Sequence, residues 1–213
     1  LITGIEYLHV NKSRVRNQVW TSLSHEGLGF PSLMVYRQDK QRPALHEEHE
    51  IHRLNGLKMQ PADLWRHDIP PIVQHGDFRF ALLVCSELTN ISYRASLRGK
   101  VDALFVPEWN QDTETFNALV ESAALDMHAY IVQCNDRQYG DSRIRAPFKD
   151  TWKRDVLRVK GGVTDYCVIG EIDVKALRQF QSSYRSPGNN FKPVPDGFEI
   201  THSRKILPKG EPE

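Results

Sequence analysis

Three cysteines, Cys85, Cys134 and Cys167, stand in a chain of 213 residues. A cysteine can act as a nucleophile, because its thiolate forms covalent intermediates with carbonyl-type carbon. Cys85 closes the apolar run Phe80-Ala81-Leu82-Leu83-Val84 and is followed by Ser86-Glu87-Leu88. A residue at such a strand end is held rigidly and can face a cleft. A helix starting soon afterwards would aim backbone N–H groups at the sulfur and lower its pKa from about 8.5. Cys85 also fits a small core hydrophobe. Cys134 ends the similar run Ile131-Val132-Gln133, so position alone does not choose between the two.

Other groups have residue types that can do chemistry. Lys40 follows a β-rich run and precedes Glu47 and Glu48, so it reads either as a fixed positive charge or as a solvated surface lysine. The run His46-Glu47-Glu48-His49-Glu50-Ile51-His52 has histidines three apart, not the four of the H-E-x-x-H zinc motif, and reads as a solvated helix face. No local signature of a papain-like Cys–His pair accompanies Cys85. The basic residues Lys149, Lys153, Arg154, Arg158 and Lys160 are interrupted by Asp150 and Asp155, as on a solvated face.

The elements that must position these residues are a mixture of strands and helices. Leu1–Val10, Asn17–Leu23 and Ser32–Tyr36 read as strands, the last two separated by the turn Gly27 to Pro31. Pro43 marks the start of a short helix in the charged stretch Arg37 to Arg53, and proline-rich coil follows through Pro61, Pro70 and Pro71. Ile72–Gln74 and Phe78–Val84 form a predicted hairpin around His75-Gly76-Asp77. Beyond Cys85 come a helix over Ile91–Arg98 ended by Gly99, a strand over Ala103–Pro107, and a helix opened by Thr113 and Glu114. Phe116, Leu119, Val120, Ala123, Ala124 and Met127 fall at helical spacing on the last. Strands over Tyr130–Gln133, Val156–Val159 and Tyr166–Ile172 and a helix over Val174–Phe180 complete the pattern. From Ser182 onward Ser, Pro, Gly and Asn dominate, so residues 1–181 read as one domain and 182–213 as an extended tail. Strands in this mixed order with helices indicate an α/β layered fold.

Composition sets the class. With 28 Lys and Arg against 27 Asp and Glu, the net charge of +1 gives no electrostatic reason to bind nucleic acid or an anionic membrane. No apolar run approaches the roughly 18 residues of a membrane span, and no signal peptide is read at the first residues. An odd cysteine count points to a reducing compartment, so a cytoplasmic location is expected.

Several segments, in order, resemble the nitrilase (carbon–nitrogen hydrolase) superfamily. Val35 to Lys40 leads into Pro43-Ala44-Leu45-His46-Glu47-Glu48, and Cys85-Ser86-Glu87 fits the form apolar-apolar-Cys-x-acidic. Gly99 to Pro107 is similar to the family's "G-a-D-hydrophobic-P" strand, Ser122-Ala123-Ala124 to its "A-R-A" helix, Ala129 to Asn135 to the following strand, and Gly140 to Ile144 with Pro147 to its "G-x-S-x-I…P" stretch. The resemblance covers roughly residues 1 to 180 and implies a four-layer α-β-β-α sandwich, incomplete at the N-terminus. It implies hydrolysis of a non-peptide amide or nitrile bond through a thioester, with Cys85 as nucleophile and Lys40 as catalytic partner. Glu47, Glu48 and Glu87 would act in support. It implies no cofactor and no metal, a small-molecule amide or nitrile substrate, and a homo-oligomer.

Two departures qualify this. Glu87-Leu88-Thr89-Asn90 replaces the aspartate, arginine and Phe-Pro that usually follow the family's cysteine. The family's general-base glutamate would lie upstream of Leu1, since Glu6 falls on the strand after the one expected. The alternative reading is a catalytically altered nitrilase-like module for assembly or regulation within a larger, linked or cleaved polypeptide. Defence-associated reverse transcriptases carrying such a domain are one example.

Overall fold

The computed structural model describes residues 1–27, 29–60, 69–164, 167–183 and 190–206, the Glu6 side chain excepted. Glu6 as a stand-in base, Pro61 and Tyr166 therefore lie outside what is described. Among the described residues, two sheets and four α-helices form a mixed α/β fold. In the first sheet β1 (Ile2–Asn11), β2 (Arg14–Gly27) and β3 (Phe30–Asp39) run antiparallel. Helix α1 (Leu45–Asn55) follows, and the short β4 (Lys58–Met59) pairs parallel to β2.

The second sheet has the order β10-β9-β8-β7-β6-β5. Strands β5 (Ile72–His75) and β6 (Phe78–Leu82) make the predicted hairpin, with Gly76 in the left-handed region at φ 57° as its tight turn requires. β6, β7 (Ala103–Glu108) and β8 (Tyr130–Asn135) run parallel, while β9 (Ser142–Arg145) and β10 (Asp155–Val159) return antiparallel. Helices α2 (Ile91–Leu97) and α3 (Thr113–Met127) connect the parallel strands, and α4 (Val174–Ser183) comes last.

Period-two alternation divides the core between the two faces of this sheet. Ala81, Leu83, Leu104, Val106 and Ile131 point to one face and pack on Tyr93 and Leu97 of α2 and Val120, Ala123, Ala124 and Met127 of α3. Phe80, Leu82 and Val84 point to the other and meet Val19 and Leu23 of the first sheet. The described residues thus stack helices, sheet and sheet. Each fully buried leucine or valine stabilises that stack by about 1.5–3 kcal/mol.

Two expectations are corrected. Residues 167–172 form no strand; Val168 and Ile169 face solvent, and of that run Ile172 packs on the core beside Leu177 and Phe180. A strand needs ladder pairing with a neighbour, and among the described residues none pairs with this segment. Conversely, β4 and β9 are strands that local pattern did not reveal, because their short, polar runs are fixed by pairing with β2 and β8. Residues 190–206 carry little regular structure yet lie against the domain. Phe191 and Phe198 flank His128, and Arg204 is buried at 1% exposure.

Candidate active site

The lysine arrives by sheet geometry. Its backbone N–H donates to the Asn17 carbonyl at 2.8 Å, continuing the β2–β3 pairing one residue beyond Asp39, and its side chain is only 3% exposed. A buried ammonium needs a counter-charge. Glu47, the third residue of α1, supplies it, with Lys40 Nζ 2.5 Å from Oε2. That carboxylate is otherwise fully committed. Oε1 accepts from Asn17 Nδ2 at 2.8 Å and the Tyr7 hydroxyl at 3.1 Å, and Oε2 also accepts the Ala44 N–H at 3.2 Å. Burial pushes the Glu47 pKa up, but the charge and hydrogen bond of Lys40, with Asn17 and Ala44, outweigh it and hold the carboxyl below its usual range. Of the two glutamates expected near Lys40, Glu47 makes the contact and Glu48 does not. Lys58 lies exposed on β4.

The cysteine sits on a sharp bend. After β6 ends at Leu82, Leu83 still donates to the Phe105 carbonyl, and the chain then turns through a 3-10 segment, Cys85–Thr89. Cys85 has φ 51°, a left-handed conformation uncommon outside glycine and found at sites the surrounding structure must hold. The thiol is half-buried, and burial raises its pKa. The Lys40 charge and a hydrogen bond from the Trp109 backbone pull it down, while Glu108 and Glu47 push it further up. The net shift is upward, which corrects the expectation of a helix-lowered thiol. Helix α2 begins only at Ile91, and its leading N–H groups, Ser92 and Tyr93, are taken by the Asn90 side chain.

Glu87 ties the two pieces together. Its carboxylate, 3% exposed, accepts from Gln41 N–H at 2.5 Å, Arg42 N–H at 3.3 Å and Val84 N–H at 2.8 Å. It therefore joins the residues after Lys40 to the residue before Cys85. Burial pushes its pKa up to about 7 against those three donors and the Lys40 charge. Replacing Glu87 by Ala strands three N–H groups, so a stability loss on the order of 3 kcal/mol is expected in urea unfolding. A loss below about 0.5 kcal/mol would mean that water satisfies them.

The parallel strands β6, β7 and β8 end on one edge, the usual location of sites in such sheets. Cys85 follows the first, Glu108 ends the second, and Cys134 and Asn135 end the third, with Pro107 opposite Cys134 and Glu108 opposite Asn135. Glu108 escaped sequence reasoning, although an acid at the end of the strand beside the cysteine's own was a usable signal. Its Oε1 accepts from Gln133 Nε2 at 2.6 Å. Burial raises its pKa to about 7, opposed by that bond and by the charge of Arg143. Gly140, at φ 75°, and Ser142 close the β8–β9 connection here: Asn135 Nδ2 donates to the Gly140 carbonyl, and the Ser142 hydroxyl accepts from Asn135 N–H. The Gly140–Ile144 stretch thus shapes the edge. A hollow of about 190 Å³ lies between Pro43–Ala44 and Ser86–Glu87, and one of about 540 Å³ lies by Arg137 and Gly161–Gly162; Cys85 lines neither. No helix among the described residues is long and apolar enough to cross a membrane.

No protein-family model and no curated protein matches the chain by sequence. Solved structures do match it by fold. A cysteine-to-alanine mutant of the amidase from Nesterenkonia sp. AN1 in complex with butyramide has a TM-score of 0.52 at 15% identity, over 76% of this chain and 58% of that one. A cysteine-to-serine mutant of the same nitrilase-superfamily amidase gives 0.51 at 14% identity, over 76% and 59%. A further crystal structure of an amidase from Nesterenkonia sp. gives 0.51 at 15%, over 76% and 58%. The chain spans less than two thirds of the length of these neighbours. A buried lysine, a cysteine on a strand-end bend and two face-packed sheets stand together in a chain that has the fold of the nitrilase superfamily.

Proposed function

We propose that this chain carries the nucleophile of a thiol hydrolase acting on a non-peptide amide or nitrile bond. The observation that supports it most is the buried Lys40–Glu47 pair held by Glu87 beside a left-handed Cys85. The likeness to an amidase solved with butyramide supports an amide as the substrate class. In this reading the Cys85 thiolate adds to the amide carbon, the C=O electrons move to oxygen, and Lys40 faces the developing negative charge. Collapse expels the amine, which takes a proton, and leaves a Cys85 thioester; water then adds, the C–S bond breaks, and the acid is released. Glu47 holds the Lys40 side chain in place, while Glu87 ties the residues after Lys40 to the residue before the sulfur.

Lys40→Met tests this in the full-length protein. Loss of a single oxyanion-stabilising donor costs about 10²–10³ in kcat, so ammonia release from butyramide should fall by that factor. A Lys40→Met enzyme with unchanged kcat would remove the lysine from the chemistry. A second reading, a nitrilase-like module for assembly or regulation within a larger polypeptide, is favoured by the upward shift of the thiol and by Leu88-Thr89-Asn90 after Glu87. It requires that Cys85→Ala leave the protein's biological output intact.

A further inference from the structure

Strand β3 leaves one long side open. The order β1-β2-β3 makes it an edge, and among the described residues no strand pairs with its far side. Which groups it offers there follows from parity. Lys40 N–H donates to the Asn17 carbonyl, so Asn17 and Lys40 are a hydrogen-bonded pair continuing the β2–β3 ladder. Bonded pairs recur every second residue in an antiparallel ladder, so Ser32, Met34, Tyr36 and Gln38 also direct their backbone groups to β2. Ser22 agrees with this alternation: its N–H goes to the Leu1 carbonyl on the β1 side, so its cross-strand neighbour Val35 has no β2 bond. Leu33, Val35 and Arg37 therefore aim N–H and C=O groups out of the sheet edge, while Pro31 has no N–H to offer. Proteins commonly blunt such an edge with charge. This one carries apolar side chains instead: Leu33 is 67% exposed, Met34 54% and Val35 41%. The charges nearby are already engaged. The Arg37 guanidinium lies 4.3 Å from the Trp20 ring centroid, and Asp39 pairs with Arg16 at 3.2 Å.

We propose that β3 pairs antiparallel with β3 of a second copy of this chain, across a two-fold axis at Val35. The outward-aimed positions of β3 run from Pro31 to Asp39, and Val35 is their midpoint, so this axis uses the whole strand. Val35 then meets the partner's Val35, and Leu33 meets the partner's Arg37. About six backbone hydrogen bonds form, and Pro31 falls at the end of the ladder opposite the partner's Asp39. An axis nearer the hairpin tip, at Leu33 or Met34, sets Pro31 opposite Val35 or Arg37 and removes a donor from the ladder. An axis beyond Val35 pushes the partner's tip past Asp39, where the chain leaves the sheet for α1. At Val35 the side chains also match. Val35 packs on the partner's Val35 on one face of the sheet, Met34 packs on the partner's Tyr36 on the other, and no like charges stand opposed. Both open edges are consumed, so the assembly closes as a dimer rather than growing into a filament.

Full-length protein is tested by sedimentation velocity over a broad concentration range, and a concentration-dependent dimer is expected. Val35→Pro removes an outward N–H at the axis and touches no β2 bond, so it should raise the dimer Kd by about tenfold or more. Val35→Lys and Val35→Glu each set like charges against each other at the axis, so each should be monomeric where wild type is dimeric. Mixing the two should restore the dimer, because lysine then meets glutamate. These two variants keep the test open if the proline variant does not fold. A wild type that stays monomeric overturns the proposal, including one whose β3 is covered by another segment of the full-length polypeptide. A dimer untouched by all three substitutions uses another surface and overturns it as well. A mixture of the lysine and glutamate variants that stays monomeric overturns the axis at Val35.

Discussion

Cys85→Ala is expected to abolish amide or nitrile hydrolysis by the full-length protein, by about 10⁴-fold or more, the range seen when a covalent nucleophile is removed. The expectation follows from the placement of the sulfur. The bend at φ 51° is held on its leading side, where Leu83 is still tied to Phe105 on β7 and the Glu87 carboxylate takes the Val84 N–H. The side chain that results is half-buried and feels the charge of Lys40 and a backbone hydrogen bond from Trp109. Cys134 and Cys167 are exposed and sit on no such bend, so Cys134→Ala should leave turnover within twofold of wild type. Alanine at 85 is smaller than the thiol, and the half-exposed position leaves room for the change. Folding should therefore survive the loss of chemistry, and circular dichroism separates the two. Equal turnover by wild type and Cys85→Ala would leave the regulatory-module reading in its place.

Asp102→Ala is expected to destabilise the fold by about 3–5 kcal/mol, the cost of stranding buried charge when one partner of an ion pair is removed. Asp102 is fully buried. Oδ1 accepts from Arg204 Nε at 3.0 Å and Arg178 Nε at 2.7 Å; Oδ2 accepts the Arg79 N–H at 2.8 Å and Arg178 Nη2 at 2.5 Å. Arg204 reaches further, to the Gly99 carbonyl at 2.6 Å and Gln181 Oε1 at 2.9 Å, and Gln181 in turn holds the His128 carbonyl. One carboxylate thus pins α4 and the 190–206 segment to the start of β7. Burial alone would raise its pKa, but Arg178, Arg204 and the Arg79 N–H outweigh burial and leave it lowered. The sign is that of a depressed acid: the stabilisation is present above the ordinary aspartate pKa and is lost as pH falls through the folded value. His128 adds an earlier acid limb. Burial among Phe180, Phe191 and Phe198 lowers its pKa from 6.5 to about 4, so its contribution is full above 6.5 and declines between those values. Urea midpoints should therefore fall more steeply below pH 4 in wild type than in Asp102→Ala, which has lost the aspartate's share of the acid limb. Unchanged stability in that variant would mean the two arginines find water or other acceptors.

What could be read from the sequence follows the range of the forces involved. The hairpin before Cys85, the helix of Phe116 to Met127 and the strands around Leu104 and Ile131 are local patterns of alternation or helical spacing, and each forms where its pattern lies. Lys40 and Glu47 could be paired because a strand end and a helix start separated by Pro43 bring their side chains together over a short span. The sequence places Glu87 only as a supporting residue beside Cys85, without its partners. One of them lies 46 residues away at Gln41 N–H, in the packing of one sheet edge on another. Arg204 on Asp102 spans 102 residues and has no local signal at all. Tyr7 and Asn17 on Glu47 were missed for the same reason. Tyr166–Ile172 reads as a strand by composition, yet its described residues, 167–172, pair with no strand; composition reports propensity, not partners.

The most direct test of the central claim is to trap the acyl-enzyme. Full-length protein is mixed with an excess of butyramide, quenched in acid within one turnover, and its cysteine peptides are weighed. A butyryl mass is expected on Cys85 alone, absent in Cys85→Ala and accumulating more slowly in Lys40→Met. Ammonia released while the Cys85 peptide stays unmodified, or butyryl found equally on Cys134, would contradict a thioester at Cys85.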